Sequence, residues 1–221
     1  MSTWGPLKQE ILDEYDLNEE TFINEAELLA LANRALRSAE AQIHEINEKY
    51  FETDEPLALE TDVSEYPLPE GIYATKITGI FYNNGAEKYE IKPLKDKRRI
   101  LDVESNDVYR YRIVNSSGAG LRIKFYPASR ETSPENVTVF YIRNVKKITS
   151  EADEIDIPEA ENFLKQYVIE KAANKERMTP DAPDSAALMS ERKLLIDSLT
   201  TRTPDDNNEV TPDFSHYDQM V

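Results

Sequence analysis

The segment Ser150–Glu176, SEADEIDIPEAENFLKQYVIEKAANKE, decides how this chain folds. Its first half crowds Glu151, Asp153, Glu154, Asp156 and Glu159 together. A Ca²⁺ loop would need oxygens at alternating positions and a Gly at its sixth for the sharp turn. Here Ile155 and Ile157 interrupt the acids, and Pro158 stands in place of any Gly. The same residues serve a helix start well. Asp156 is suited to the N-cap or N′ position and Pro158 to the first turn, while Glu159 and Glu161 favour the positive end of the dipole. Ile155 and Ile157 form an apolar plug at that end. Beyond them Phe163, Leu164, Tyr167, Val168 and Lys171-Ala172 mark one helical face. The segment reads as the hinge by which the chain leaves a β region and returns to helix.

Working outward, the region before this hinge is rich in strand signals from about Leu57. Tyr73–Tyr82 and Lys88–Ile91 flank Asn83-Asn84-Gly85, and Asn-Gly supplies the positive φ angles of a tight hairpin. Val108–Val114 and Leu121–Tyr126 alternate polar and apolar around a turn at Asn115–Gly120. Val137–Arg143 follows as a further strand, with Pro134 expected to lie outside the sheet. About six short strands at this spacing predict a small antiparallel sandwich or barrel-like sheet.

Helix flanks the β region on both sides. Asp16–Phe51 repeats Phe22, Leu29, Leu36, Ile43 and Tyr50 every seventh residue, with Ala32, Ala39 and Ile46 three places after Leu29, Leu36 and Ile43. That is a seam on a helix of roughly thirty residues, whose alanines admit a close neighbour. Pro6–Leu12 predicts a short helix, and Ala186–Leu199 another, striped by Leu188, Leu195 and Leu199. Thr179–Asp184 breaks between the last two helices. The expected fold is α+β: a discontinuous helical bundle, residues 1–53 plus 156–202, with an antiparallel β domain at 54–155. Residues 203–221, polar and acidic without Lys or Arg, form an extended tail with Phe214, Tyr217 and Met220 as apolar anchors.

The 221 residues carry a net charge of -17, which repels phosphate backbones and argues against sequence-specific nucleic-acid binding. With no Cys, disulfides, thiolate nucleophiles and Cys-based zinc sites are excluded. Met1–Pro6 lacks the pattern of a signal peptide, and no segment has the ~20 apolar residues of a membrane span. A soluble protein is expected. His44 and His216 lack zinc-site spacing, and no G-x-S-x-G nucleophile elbow occurs. Gly118-Ala119-Gly120 leads into a strand and lacks Walker spacing, so it reads as a turn. No catalytic, cofactor or metal site is assigned.

The basic residues are locally concentrated: Lys92, Lys95, Lys97, Arg98 and Arg99 in one run, Arg110, Arg112, Arg122 and Lys124 on the strands, and Arg143, Lys146 and Lys147 after them. A solvated sheet face accounts for them. So does a basic β face that meets an acidic surface of a neighbouring copy, the kind of heterologous contact that closes into rings.

A succession of short motifs resembles a known family. Tyr66-Pro67-Leu68-Pro69 precedes the Tyr-rich hairpin. Gly120-Leu121-Arg122-Ile123-Lys124-Phe125-Tyr126-Pro127 and Phe140-Tyr141-Ile142-Arg143 follow. Ile148-Thr149-Ser150, Asp153-Glu154-Ile155-Asp156-Ile157-Pro158, Tyr167-Val168 and Lys171-Ala172-Ala173 complete the order. From Leu7 to Lys175 this is similar to the tailed-bacteriophage head-to-tail adaptor, or connector, proteins. The resemblance implies a helical bundle carrying a β domain, and a ring, usually of twelve copies, beneath the portal. It further implies portal and downstream tail or nozzle proteins as partners, DNA passing through the lumen, and a place in the virion. The chain after Met178 departs from that pattern. Two other classes stay open at this stage: a tail-fibre or baseplate module using a Tyr-rich β face, and a hydrolase using the abundant carboxylates.

Overall fold

The computed structural model describes residues 2–14, 23–95, 108–179 and 182–200. They fall into two compact units, one drawn from 1–48 and 145–221 and one from 49–144. The fold is α+β, with N- and C-terminal helices and an inserted β region. Residues 49–53 group with the strands and 145–155 with the helices.

In the helical unit, α1 spans Trp4–Glu14 and α2 spans Glu25–Ile46. A 3₁₀ turn, Pro158–Ala160, leads into α3, Glu161–Glu176, and α4 is Ala186–Thr200. α3 packs against all three other helices. Its buried residues Phe163, Leu164, Val168, Ile169, Ala172 and Ala173 cover more than the single face expected. α4 buries Leu188, Leu195 and Leu199, the stripe predicted for it.

α2 is shorter than the sequence seam. It begins where Asn24 and Glu27 form a capping box: the Asn24 side chain accepts from Glu27 N, and the Glu27 carboxylate accepts from Asn24 N. Tyr50 and Phe51 lie beyond its end. Its buried stripe is Leu28, Ala32, Ala35, Leu36, Ala39 and Ile43, with Leu29 only half-buried. Leu28 and Ala35, Ala32 and Ala39, and Leu36 and Ile43 keep the seven-residue repeat, so Ala32, Leu36, Ala39 and Ile43 of the expected seam are buried. Phe22 lies outside the described residues.

In the β unit the strands are β1 Glu52–Leu59, β2 Glu65–Pro67, β3 Ile72–Asn83, β4 Lys88–Glu90, β5 Lys92–Pro93, β6 Arg110–Ser116, β7 Gly120–Tyr126 and β8 Ser133–Arg143. They form two four-stranded sheets, ordered β1-β8-β3-β4 and β2-β7-β6-β5. All pairings are antiparallel except the short β5–β6 contact. The two sheets share one core of Leu59, Tyr66, Ile80, Tyr82, Ile91, Tyr109, Ile123, Phe125, Val137, Val139 and Tyr141.

Three details differ from the sequence reading. β1 was not anticipated, because its acids and Pro56 mask a strand; it is a sheet edge, where Pro costs no ladder bond. Pro134 lies inside β8, near an end that pairs only with β1 across an irregular register. The β3–β4 hairpin forms as expected, but its turn is four residues long. Asn84 N donates to Glu87 O, and the Asn84 carboxamide oxygen accepts from Ala86 N and Glu87 N at 3.0 and 2.7 Å. Those side-chain bonds replace the two-residue turn, with only Gly85 at positive φ, +89°.

Candidate interaction surface

The hinge acids occupy structural positions. Asp153 accepts from Thr149 N, Thr149 Oγ1, Ser150 N and Ser150 Oγ at 2.6, 2.7, 3.0 and 2.8 Å, which holds its carboxyl well below the usual range. Asp156 stands one place before the N-cap Ile157 and accepts from Lys146 N at 2.9 Å, so it braces the returning chain from the N′ position. Glu151 pairs with Lys8 at 2.6 Å. Thr3 and Glu154 form a β-bridge, with Ile155 N donating to Ser2 O. Ile155 and Ile157 are fully buried, as a plug requires. Among the described residues no group of three or more His, Asp or Glu is arranged to hold a metal ion.

Two residues in the middle of α2 fix the same hinge, and nothing in the hydrophobic pattern flags them. Asn33 donates to Ile148 O and accepts from Ile148 N, both at 2.9 Å, mimicking a strand neighbour. Glu40, 8% exposed, accepts from Val145 N at 2.7 Å and has His44 Nε2 at 4.0 Å. The start of α4 is held likewise. Buried Glu170 accepts from Ser185 N and from the Ser185 hydroxyl, while Ser185 Oγ accepts from Leu188 N at 3.2 Å. Asp184 joins Lys171 at 3.0 Å and Arg192 at 2.9 Å, and these cations lower its pKa.

The tyrosines of the β unit do not form an exposed row. Tyr66, Tyr82, Tyr109 and Tyr141 are buried in the core, and Tyr89 and Tyr111 pack against it. Tyr82 meets Tyr109 edge-on at 5.6 Å, and Tyr66 meets Phe125 at the same distance. Burial raises the pKa of Tyr66, Tyr82, Tyr89, Tyr111 and Tyr141. The aromatic content builds the interior, and the premise of a Tyr-rich binding face is not met.

The β-strand cations do share one face. On β6 and β7 the alternate residues Tyr111, Ile113, Ile123 and Phe125 point to the core. Arg110, Arg112, Arg122, Lys124 and Tyr126 therefore stand on the other side. Register sets them in rows: Arg112 directly opposite Lys124, Arg110 opposite Tyr126 on one side and Lys92 on the other, and Arg122 opposite Val114. Glu65 on β2 lies opposite Lys124 and binds it at 2.9 Å. Glu65 also accepts from Ser116 Oγ at 2.5 Å, and that bond, then Lys124, lowers its pKa. Arg122 donates to Glu65 O at 3.2 Å, while its Nε is buried with no partner among the described residues. Among the described residues, five cations thus meet one carboxylate on this face. Lys124 also lies over the Tyr126 ring at 5.8 Å. Gly118 and Gly120 turn β6 into β7 at φ of +81° and +72°, and Ala119 N donates to Ser116 O, as a hairpin turn requires.

Sequence alternation was enough to place Arg110, Arg112, Arg122 and Lys124 together. The same alternation sets Tyr126 with Arg122 and Lys124, whereas Glu65 is added by the structure, with Tyr66 pointing inward as the signal that Glu65 points out. Phe214, Tyr217 and Met220 lie outside the described residues, as do Lys97, Arg98 and Arg99. No helix among the described residues is long and apolar enough to cross a membrane.

No protein-family model and no curated protein matches this chain. One similar solved structure is described as the neck of an empty GTA particle computed with C6 symmetry. It is 17% identical over 88% of this chain and 88% of its own, with a TM-score of 0.29. At that TM-score and identity the likeness carries nothing about this chain's role.

Proposed function

We propose that this chain is a structural virion protein of a tailed phage: the adaptor ring between portal and tail, extending the DNA channel for genome retention and ejection. The observation that carries the reading is the basic face of the β2-β7-β6-β5 sheet on a chain of net charge -17. Like charges directly opposite one another, as Arg112 and Lys124 are, destabilise a sheet. Glu65 offsets one of them. An acidic surface on a neighbouring copy would offset the rest, and such a contact between unlike surfaces closes into a ring. The resemblance of the Leu7–Lys175 motifs to head-to-tail adaptors points the same way and supplies portal and tail proteins as the neighbours. The remaining acidity suits a lumen through which DNA slides, since carboxylates repel phosphate.

The test is charge reversal on the face. The Arg110→Glu/Arg112→Glu protein, with an unchanged melting temperature, should lose association with itself and with portal particles by at least about tenfold in co-sedimentation. Unchanged association would remove the face from the assembly.

A further inference from the structure

We infer that the acidic segment 203–221 of a neighbouring copy docks on the basic sheet face formed by Lys92, Arg110, Arg112, Arg122 and Lys124. This rests on the adaptor-ring reading and names the element that meets the face.

Charge complementarity carries the inference. The segment holds Asp205, Asp206, Glu209, Asp213 and Asp218 and no Lys or Arg. Among the described residues the face holds five cations and one carboxylate, already engaged by Lys124 and Ser116. Five negative charges against a surplus of four positive ones leaves a nearly neutral contact. The chemistry of the apolar partners also fits. Two of the segment's acids sit beside aromatics, Asp213 with Phe214 and Tyr217 with Asp218. On the face, Tyr126 stands between Arg110 and Lys124. An aromatic ring laid on an Arg or Lys plane gains cation–π attraction while its neighbouring carboxylate takes up the charge.

Reach is ample. α4 ends at Thr200, and 21 residues follow it. Extended, they span up to roughly 70 Å at about 3.3 Å per residue. That length lets one copy's segment bridge to the next copy.

Zero-length carbodiimide cross-linking tests this on the full-length protein, because it joins only carboxylates and amines in direct contact. Equal amounts of ¹⁵N-labelled and unlabelled protein are mixed at low salt, cross-linked, digested and analysed by mass spectrometry. The expected products join carboxylates of 203–221 to Lys92 or Lys124 and are isotopically mixed. Their yield should fall about tenfold in 1 M salt, where the Debye length is ~3 Å. It should fall similarly in the Arg110→Glu/Arg112→Glu protein, which keeps both lysines. Cross-links from the segment to Lys8, Lys171 or Lys175 instead, links within a single isotope only, or none at all would overturn the inference. Co-sedimentation of the same samples with portal particles separates the two readings. Portal assembly without these links sinks the docking alone, whereas absence of assembly sinks the ring.

Discussion

Removing the Asn33 side chain tests whether the hinge is held as the structure shows. In Asn33→Ala, Ile148 loses a donor to its carbonyl and an acceptor for its amide, both at 2.9 Å. Ile148 is 2% exposed, so water replaces those partners poorly. Each buried backbone group left unpaired costs about 1–3 kcal/mol. Asn33 is itself half-buried, which admits some solvent and favours the lower end, giving about 2–4 kcal/mol in total. That is a large share of the 5–15 kcal/mol typical of a domain. With a urea m-value of about 2 kcal/mol/M, the midpoint should fall by roughly 1–2 M.

Urea denaturation followed by tryptophan fluorescence is the assay. Trp4 is the single Trp, is 2% exposed, and lies in the helical unit, so its signal reports that unit. The neighbouring exposed position supplies the control: Arg34→Ala should change stability by less than about 0.5 kcal/mol. An Asn33→Ala midpoint equal to that of Arg34→Ala would refute the clasp.

Acid should act through Asp153. Its pKa is depressed in the folded state, so its contribution is full above the ordinary Asp value of ~3.9 and is lost as pH falls from there toward its lowered value. Asp153→Asn should therefore be less stable than the parent at pH 7, with the gap closing below about pH 4 in Trp4-monitored urea titrations; a gap as wide at pH 3 would contradict this. Gly120→Ala places a Cβ in open space but at φ +72°, so the cost is in the backbone alone, about 1–2 kcal/mol. It should lower the β unit's melting in tyrosine near-UV circular dichroism and leave the Trp4 transition in place, and an unshifted β transition would count against the turn geometry.

Legibility in the sequence followed local chemistry. α4 was readable nearly to the residue because Leu188, Leu195 and Leu199 stripe an otherwise polar stretch. The β6–β7 hairpin was readable because strict alternation leaves one register that buries Ile123 and Phe125. The seventh-residue repeat finds the buried Ala32, Leu36, Ala39 and Ile43 of α2 but not its ends, since Tyr50 continues the repeat past the helix and the start is set by the Asn24–Glu27 box. β1 was hidden because an edge strand needs to bury little, and its exposed acids look like loop. Asn33 and Glu40 were illegible in principle: a polar residue within a helix reveals its partner only when a segment more than a hundred positions away folds back onto it. The basic face came from alternation, whereas its companion Glu65 emerged only with the β2–β7 register.

Native mass spectrometry of the purified 25.4 kDa chain, alone and after addition of portal particles, bears directly on whether this molecule works by joining copies of itself. A closed oligomer with an integral number of chains, formed on the portal if not before, is the expected species, and it should be absent for Arg110→Glu/Arg112→Glu. A single 25.4 kDa chain under every condition, with the portal present and at low salt, would contradict an adaptor ring.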